Sequence, residues 1–290
     1  MKKNRNLRID RNIAFNIVEL NIGEDKQTEI IIRNLLIYFC MSYQWDLFNY
    51  GTLDPHKFAS AMNISRSKLF TKHQNPKFIQ DSNLSKKQFY KKEKQDKSIS
   101  VKKVWDNYLE NALYILASTP LFEKYKVYEE DKTSMSRNDY ILIEQFEMYS
   151  EKRSKGRTDK VLYTYQLNDY FERNLRKFFF SIDFNKYLKA KNKGLDMIYL
   201  DIMGIYCNLK KEKNNRYCYK LNELFSRFNV SPNTEIRYQK RDLNIKFRKI
   251  EEIIKEDIPG FSFSWEAGNG QKYKYVPVIT WNKEEASKEE

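Results

Sequence analysis

The sequence contains few of the residues that build disulfides, zinc sites and metal-dependent catalytic centres. Among its 290 residues are three cysteines and two histidines. Cys40, Cys207 and Cys218 form no C-x-x-C pair and lie in or beside apolar stretches, which is typical of reduced residues in a cytoplasmic protein. His56 and His73 lie seventeen residues apart and do not form the H-x-H cluster of a metal-dependent nickase. We therefore expect both histidines to have structural or solvent-facing roles.

Long apolar segments are also missing. The longest apolar run, residues 30–43, is interrupted by Arg33 and Asn34 and is too short to span a bilayer. The basic N terminus is not followed by the apolar stretch of a secretory signal. The sequence therefore predicts a soluble protein of the cytoplasm.

The motifs of common nucleic-acid enzymes are absent too. No G-x-x-x-x-G-K-[ST] loop is present, which argues against an ATPase or helicase. Any single tyrosine among 21 is a poor candidate nucleophile, and no Arg/His set accompanies one as in a tyrosine recombinase. No carboxylate pair has a recognisable basic or metal partner. We predict a protein that is not an enzyme and that binds no cofactor, metal or small-molecule substrate.

Positive charge is abundant. Lys and Arg number 53 against 39 Asp and Glu, giving a formal charge of +14 and a pI near 9.4. Such a charge attracts polyanions, above all nucleic acid. With 41% hydrophobic residues the chain has enough apolar material for packed cores, and its length fits two domains. The charge excess is larger in residues 151–290 (29 basic, 20 acidic) than in residues 1–150 (24 basic, 19 acidic).

Helical periodicity and cap residues indicate three helices in the first part of the chain. We predict a helix within residues 29–50, a short one at 54–62 opened by Asp54 and Pro55, and another at 104–117. Residues 81–103 hold eight lysines and few apolar anchors. We interpret this segment as a solvated, partly disordered insertion, with a phosphate-contacting element as the alternative.

The middle of the chain changes from helical to alternating periodicity. We predict strands at 121–128, 140–149 and 161–167, with a basic hairpin tip at 151–160 that resembles the wing of a winged-helix domain. Residues 170–210 read as helices, with the three phenylalanines at 178–180 buried.

The end of the chain carries a second hairpin signal. Residues 261–265 and 273–281 are rich in alternating aromatic and β-branched residues and bracket an Asn-Gly pair, which favours a tight left-handed turn. We call residues 261–281 the C-terminal hairpin. Residues 282–290 have little to bury and are expected to form a disordered tail.

An internal repeat links the two halves. Residues 58–65 (FASAMNIS) and 224–231 (LFSRFNVS) match in their apolar, Ser, Asn and β-branched positions. The pattern fits a helix-turn-helix: Asn63 or Asn229 takes the left-handed conformation of the turn, and Ser65 or Ser231 caps the next helix. The β-branched residue between them, Ile64 or Val230, fills the corner, and Leu69 follows at an inward position.

The second copy precedes the most informative element, a helix at about 237–256. Leu243, Phe247, Ile250 and Ile254 form its buried stripe. Arginine and lysine can contact phosphates or guanine, and Asn or Gln can pair with adenine. We predict DNA contacts from this helix, from the C-terminal hairpin and from the first copy and its hairpin tip: Arg237, Gln239, Lys240, Arg241, Asn244, Arg248, Lys249, Lys272, Lys274, Arg66, Lys68, Lys155 and Arg157.

Short hydrophobicity patterns over nearly the whole chain carry a family resemblance. They lie at 29–50, 108–113 with Leu121 and Phe122, 140–143, 163–168, 178–183 leading into 187–191, 198–200, 219–224 and the basic helix. In these patterns the sequence resembles the initiator replication proteins of plasmids, the iteron-binding Rep family. The resemblance implies two winged-helix domains that share each origin repeat, a first domain that can also dimerise, recruitment of host replication proteins by monomers, and repression of the protein's own gene by dimers. The lysine-rich insertion departs from the family pattern.

The sequence thus predicts an α+β, predominantly helical fold of two tandem winged-helix domains. Domain 1 covers residues 1–172 with the insertion, and domain 2, the main DNA-reading domain, covers 173–281. The expected function is a sequence-specific, double-stranded DNA-binding initiator of plasmid replication that binds origin direct repeats (iterons) and associates with nucleoid or plasmid DNA. A plain winged-helix transcriptional regulator is the alternative.

Overall fold

The structure is a computed structural model that describes residues 6–17, 25–43, 50–78, 90–93, 99–101, 104–122, 125–128, 134–137, 140–151, 160–210, 214–221, 224–225, 228, 230, 235–270 and 273–282. The chain forms two compact units. The N-terminal unit comprises Leu7–Ile13 and Leu20–Phe179, and the C-terminal unit comprises Met1–Asn6, Ala14–Glu19 and Phe180–Glu290. The main division thus follows Phe179, whereas the boundary expected at 172/173 lies inside a helix.

Helices and strands alternate along both units. The first elements in chain order are β1 (Asn6–Asp10), α1 (Arg11–Asn16), α2 (Lys26–Tyr43), β2 (Tyr50–Leu53), α3 (Pro55–Ala61), α4 (Arg66–Phe70), β3 (Lys72–Phe78), β4 (Tyr90–Glu93), β5 (Ile99–Val101), β6 (Val104–Asn107), α5 (Tyr108–Ser118), β7 (Tyr125–Tyr128), β8 (Ser134–Arg137), β9 (Ile143–Glu151), β10 (Lys160–Leu167) and α6 (Asp169–Lys177). They are followed by β11 (Phe179–Asp183), α7 (Phe184–Asn192), α8 (Asp196–Leu209), β12 (Arg216–Cys218), α9 (Ile236–Ile254), β13 (Ser262–Gly270) and β14 (Tyr273–Thr280). The mixture of helices and small sheets agrees with the expected α+β class.

Helices α2 and α5 supply much of the core of the N-terminal unit. Both have apolar side chains at helical spacing that are buried, among them Leu36 and Phe39 of α2 and Leu113 and Leu116 of α5. Asn107 begins α5 by accepting a hydrogen bond from the Glu110 backbone N–H at 2.9 Å. The unit also contains a five-stranded sheet of order β2-β10-β9-β4-β5, and α5 contacts its strand β9.

His73 has the structural role expected from the sequence. It is 4% exposed, and its Nε2 lies 2.7 Å from Asp25 Oδ2 and 3.1 Å from Thr28 Oγ1. Asp25 also accepts hydrogen bonds from the first turn of α2. Partial burial raises the pKa of Asp25, but hydrogen bonds from Thr28 and His73 outweigh it and hold that pKa below its usual value.

Three expectations for this part of the chain need correction. Residues 104–107 form strand β6 and not the start of a helix, because they pair with the distant strand β3. Residues 179–180, expected within helices, begin strand β11. Within the lysine-rich 81–103 segment, β4 and β5 join the five-stranded sheet, so these parts are an ordered extension of that sheet. The remaining residues of that segment lie outside the described part of the chain.

The described residues of the C-terminal unit include helices α7, α8 and α9, helical residues at 221 and 224–225, and a three-stranded sheet of order β12-β14-β13. Its core includes Tyr199 and Phe247, and a buried hydrogen bond joins the Tyr219 hydroxyl to Asp201 Oδ2 at 2.8 Å. The predicted C-terminal hairpin is confirmed: β13 and β14 pair in antiparallel register from Ser262 opposite Thr280 to Gly270 opposite Tyr273.

The two units share one connectivity. In each, a short strand precedes a helix and a sharp turn, and a long antiparallel hairpin comes later in the chain. The last strand of that hairpin lies between the other two in both sheets, giving β2-β10-β9 in the N-terminal unit and β12-β14-β13 in the C-terminal unit. The repeat detected in the sequence is therefore part of a larger repeat in topology.

Candidate nucleic-acid interface

The turn after α3 has the conformation predicted for its asparagine. Asn63 has φ +49°, a positive value that favours Asn or Gly. Ile64 N–H donates to the Ala59 carbonyl at 2.8 Å, and Asn63 N–H donates to the Ser60 carbonyl at 3.3 Å. These two bonds are those of a Schellman motif, which ends a helix and redirects the chain sharply.

The second copy repeats this hydrogen-bond pattern. Val230 N–H donates to the Phe225 carbonyl at 3.0 Å, as Ile64 does to Ala59. Two further backbone bonds recur at equivalent positions, namely Phe58 N–H to Asp54 O (2.9 Å) with Leu224 N–H to Lys220 O (3.0 Å), and Met62 N–H to Phe58 O (2.9 Å) with Phe228 N–H to Leu224 O (3.2 Å). Asn229 and Ser231 lie outside the described residues. The described backbone of the two copies is thus equivalent, as the sequence match predicts.

Helix α4 follows the first copy. Leu69 is buried, as predicted, and Arg66 and Lys68 are exposed. Ser65 occupies the N-cap position but makes no capping hydrogen bond, so the predicted cap is wrong in detail. Its hydroxyl lies instead 2.7 Å from that of Ser67. The first turn of α4 thus gains no side-chain cap from Ser65.

Helix α9 follows the second copy. The predicted stripe of Leu243, Phe247, Ile250 and Ile254 is confirmed, since all four are at most 1% exposed. Gln239, predicted to contact DNA, is only 6% exposed, because it lies one turn before Leu243 on the same packed face. We therefore remove Gln239 from the candidate interface.

The opposite side of α9 exposes a basic face. At about 100° per residue, Arg237, Arg241 and Arg248 fall within about 40° of one another, and all three are exposed. Lys249 is exposed as well. Arg237 is paired with Glu235 at 2.7 Å, whereas within the described residues no ion pair holds Arg241, Arg248 or Lys249. We call Arg237, Arg241, Arg248 and Lys249 the basic face.

Three acidic residues at and just beyond the end of α9 are paired with lysines outside the basic face. Just beyond α9, Glu256 and Asp257 accept hydrogen bonds from Lys186 at 3.1 and 2.8 Å. Partial burial lowers the pKa of Lys186, but these bonds raise it above its usual value. Near the end of α9, Glu252 lies 3.8 Å from Lys193. These carboxylates therefore offset little of the positive charge of the basic face.

Beside the basic face, Trp265 joins α9 to the C-terminal hairpin. Its indole N–H donates to Asn244 Oδ1 at 2.9 Å, and Lys240 Nζ lies 4.7 Å from the centre of its ring. One turn further along, Phe247 stacks on Phe263 with ring centres 3.8 Å apart. Because indole N–H is only a donor, it fixes which end of the Asn244 amide is oxygen and leaves the NH₂ group facing elsewhere. Asn244 and Lys240 thus position the hairpin beside the helix.

Lys246 fixes α9 to the preceding turn. Its ammonium donates to the Phe228 carbonyl at 3.1 Å and lies 2.8 Å from Asp242, one turn earlier on the helix. Side chains of α9 therefore connect the helix to the preceding turn and to the C-terminal hairpin.

The structure describes little of the remaining predicted DNA contacts. Lys155, Arg157 and Lys272 lie outside the described residues, and Lys274 lies in β14 with its side chain outside them. Three residues at this site were not among the predicted contacts: Trp265, whose contacts with Asn244 and Lys240 place it beside α9, and the exposed Tyr238 and Ile245.

No helix in the described residues is both long and apolar enough to cross a membrane.

Searches found no family model and no curated protein that match the chain. A solved structure, the crystal structure of Pi initiator protein in complex with iteron DNA, is similar over 98% of this chain and 100% of that one, with 11% sequence identity and a TM-score of 0.49. The likeness is distant in both sequence and fold.

Proposed function

We propose that this protein binds double-stranded DNA sequence-specifically through two winged-helix domains and initiates plasmid replication. The observation that carries the proposal is the repeated turn with its three equivalent backbone bonds, followed in the C-terminal unit by the basic face. In a winged-helix domain the helix after such a turn enters the major groove and the hairpin contacts the flanking backbone.

The chemistry of the basic face suits this role. Guanidinium groups can donate two hydrogen bonds to guanine O6 and N7 or to phosphate oxygens. Arg241 and Arg248 project from α9 without an ion pair among the described residues, so binding DNA requires no described carboxylate to be displaced from them. Lys249 adds a charge suited to phosphate.

The different lengths of the helices that follow the two turns favour DNA sites that are repeated in one orientation and are not palindromic. Protein dimers with twofold symmetry read palindromes, because each copy presents the same helix. Here α4 has five residues and α9 has nineteen, so two half-sites read by one chain differ. An origin with tandem direct repeats presents such sites in one orientation. The sequence resemblance to iteron-binding initiators supports including replication, host replication partners, a homodimer and autorepression in the same proposal.

A footprint of the purified protein on DNA flanking its own gene tests the binding step. We expect protected segments that recur at regular spacing in one orientation. Absence of protection at any repeated sequence there would contradict the proposal.

The competing interpretation is a winged-helix transcriptional regulator without a replication role, which would give the same footprint. A circular DNA carrying only this gene, its upstream region and a selectable marker separates the two. We expect it to replicate in a permissive host, and to fail when Arg241 and Arg248 are both changed to Ala. Failure of the unaltered DNA would favour the regulator.

We also propose that the protein does not cut DNA itself. Incubation with supercoiled origin DNA and a divalent metal is expected to leave the DNA supercoiled. Nicked or relaxed product that depends on the protein would contradict this part of the proposal.

A further inference from the structure

Exposed apolar side chains concentrate on the two helices that follow the repeated turn. Among the described residues, the large hydrophobic side chains that remain exposed are Ile30 (37%), Phe70 (39%), Tyr238 (49%) and Ile245 (42%). Ile30 lies on α2, but Phe70 lies on α4, and Tyr238 and Ile245 lie on α9. Single exposed apolar residues are ordinary on protein surfaces, but this distribution follows the helices proposed to meet DNA.

Ile245 lies among arginines. Arg241 is one turn before it, Arg248 is three residues after it, and both share its side of the helix. Tyr238, seven residues before Ile245, is partly covered, because the Arg237 guanidinium lies 4.7 Å from its ring centre and donates to its hydroxyl at 3.0 Å. Ile245 thus presents the aliphatic surface between Arg241 and Arg248.

The combination fits a particular part of the major groove. Arginine reads guanine O6 and N7, whereas the apolar group that unmodified bases present there is the C5 methyl of thymine. An isoleucine between two arginines has no favourable contact with phosphate or with the polar edge of guanine. We propose that Ile245 packs against a thymine methyl group and so specifies thymine near the guanines contacted by Arg241 or Arg248. This inference rests on the proposed DNA-binding function.

Helix geometry limits where that thymine lies. Arg241 and Ile245 are about 6 Å apart along the helix axis, and Ile245 and Arg248 are about 4.5 Å apart. Stacked base pairs are about 3.4 Å apart. The thymine read by Ile245 is therefore expected within about two base pairs of a guanine in the site.

Substitution of thymine by deoxyuridine tests the proposal, because it removes the methyl group and keeps base pairing. The full chain would first select its site from a pool of random duplexes, and each thymine in that site would then be replaced singly. Loss of one buried methyl weakens binding about fourfold. We expect such a loss at one or two thymines within about two base pairs of a guanine.

Ile245→Ala is the matching protein change. Alanine is a better helix former than isoleucine, so α9 is expected to remain folded. The variant is expected to bind the selected site several-fold more weakly and to become insensitive to deoxyuridine at the critical position. Ile30→Ala, which removes a similarly exposed isoleucine from α2, is the control and should retain both affinity and the deoxyuridine effect.

The outcomes separate this inference from the proposed function. If no sequence is enriched from the pool, the proposed function itself is wrong. If a site is enriched but no deoxyuridine substitution weakens binding, or if the loss persists in Ile245→Ala, the assignment of Ile245 is wrong while the DNA-binding function stands. Unchanged affinity of Ile245→Ala for the selected site would also show that the assignment of Ile245 to a thymine contact is wrong.

Discussion

The two copies of the turn lead into very different helices. After the first copy, α4 has five residues and spans about 7.5 Å, whereas α9 after the second copy has nineteen and spans about 28 Å. The turns themselves share three backbone hydrogen bonds. The comparison teaches that the turn supplies a common backbone geometry, while the length and side chains of the following helix decide how much surface each unit exposes next to the turn.

The helices also differ in how firmly they are held. Leu69 is the buried residue that anchors α4, whereas α9 buries a four-residue stripe and adds the Phe247–Phe263 stack, the Asn244–Trp265 hydrogen bond and the Lys246 tether. Rigid placement of a reading helix lowers the entropic cost of each base contact. We therefore expect specificity to reside mainly in the C-terminal unit.

The largest effect is expected from Phe247→Ala. Phe247 is 1% exposed and contacts the rings of Phe263, Phe228 and Tyr219, so its truncation should cost about 3–5 kcal/mol of unfolding free energy. Urea unfolding with hydrogen exchange would locate the loss in the C-terminal unit. Leu69→Ala, which is expected to loosen α4 instead, is the matched change, and equal loss of protection in both units would break the comparison.

Loss of Arg241 should affect binding more than loss of Arg66. Arg241→Ala is expected to weaken the specific complex by about 1–3 kcal/mol and random DNA much less, because a base contact contributes only where the correct base is present. Arg66 is exposed, and its guanidinium Nη2 lies 3.3 Å from His56 Nε2. Arg66→Ala should cost less binding free energy on the same site. Binding titrations of both variants with specific and random DNA at one salt concentration would measure these losses. An equal loss of affinity for random DNA would mean that Arg241 contacts phosphate.

Asn63 tests whether the turn is as strained as its φ indicates. Asn63→Ala is expected to cost about 1–2 kcal/mol of stability, because alanine is disfavoured at φ +49°, whereas Asn63→Gly should be nearly neutral. Thermal unfolding of the two variants supplies the measurement. A glycine variant as unstable as the alanine variant would show that the side chain and not the backbone is what matters.

The smallest expected effect distinguishes two caps within the first copy. Asp54 accepts from the His56 and Lys57 backbone N–H groups at 2.8 and 3.3 Å, so Asp54→Ala should cost about 1 kcal/mol. Ser65 makes no capping bond, so Ser65→Ala should change stability by only a few tenths of a kcal/mol. Similar losses from both changes would indicate that Ser65 does cap α4 in solution.

Local patterns predicted much of this fold. The Asp54-Pro55 start of α3, the left-handed Asn63, the buried stripe of α9 and the C-terminal hairpin each depend on neighbouring residues, and each is confirmed. The left-handed turn expected at Asn269-Gly270 is wrong, because both residues lie in β13 and neither has a positive φ. The wrong assignments of helix and strand involve distant partners. Residues 104–107 become a strand because β3 pairs with them, which helical spacing does not reveal.

The candidate interface shows the same limit. The spacing of Arg241 and Arg248 along α9 was visible in the sequence, and both are exposed. The burial of Gln239 and the capture of Asn244 by Trp265 depend on how α9 packs within its unit. A helical wheel ranks exposed and buried faces but does not identify which strand covers the residues at their border.

The three hydrogen bonds shared by the two turns have a consequence for how far the two copies can differ in sequence. They join backbone atoms only, so they place few demands on side chains beyond a residue that tolerates the left-handed conformation and apolar neighbours. Most side-chain positions of either copy can therefore change while the turn is kept. The same turn can thus lead into a long arginine-bearing helix in one unit and into a short helix in a unit with extra strands in the other.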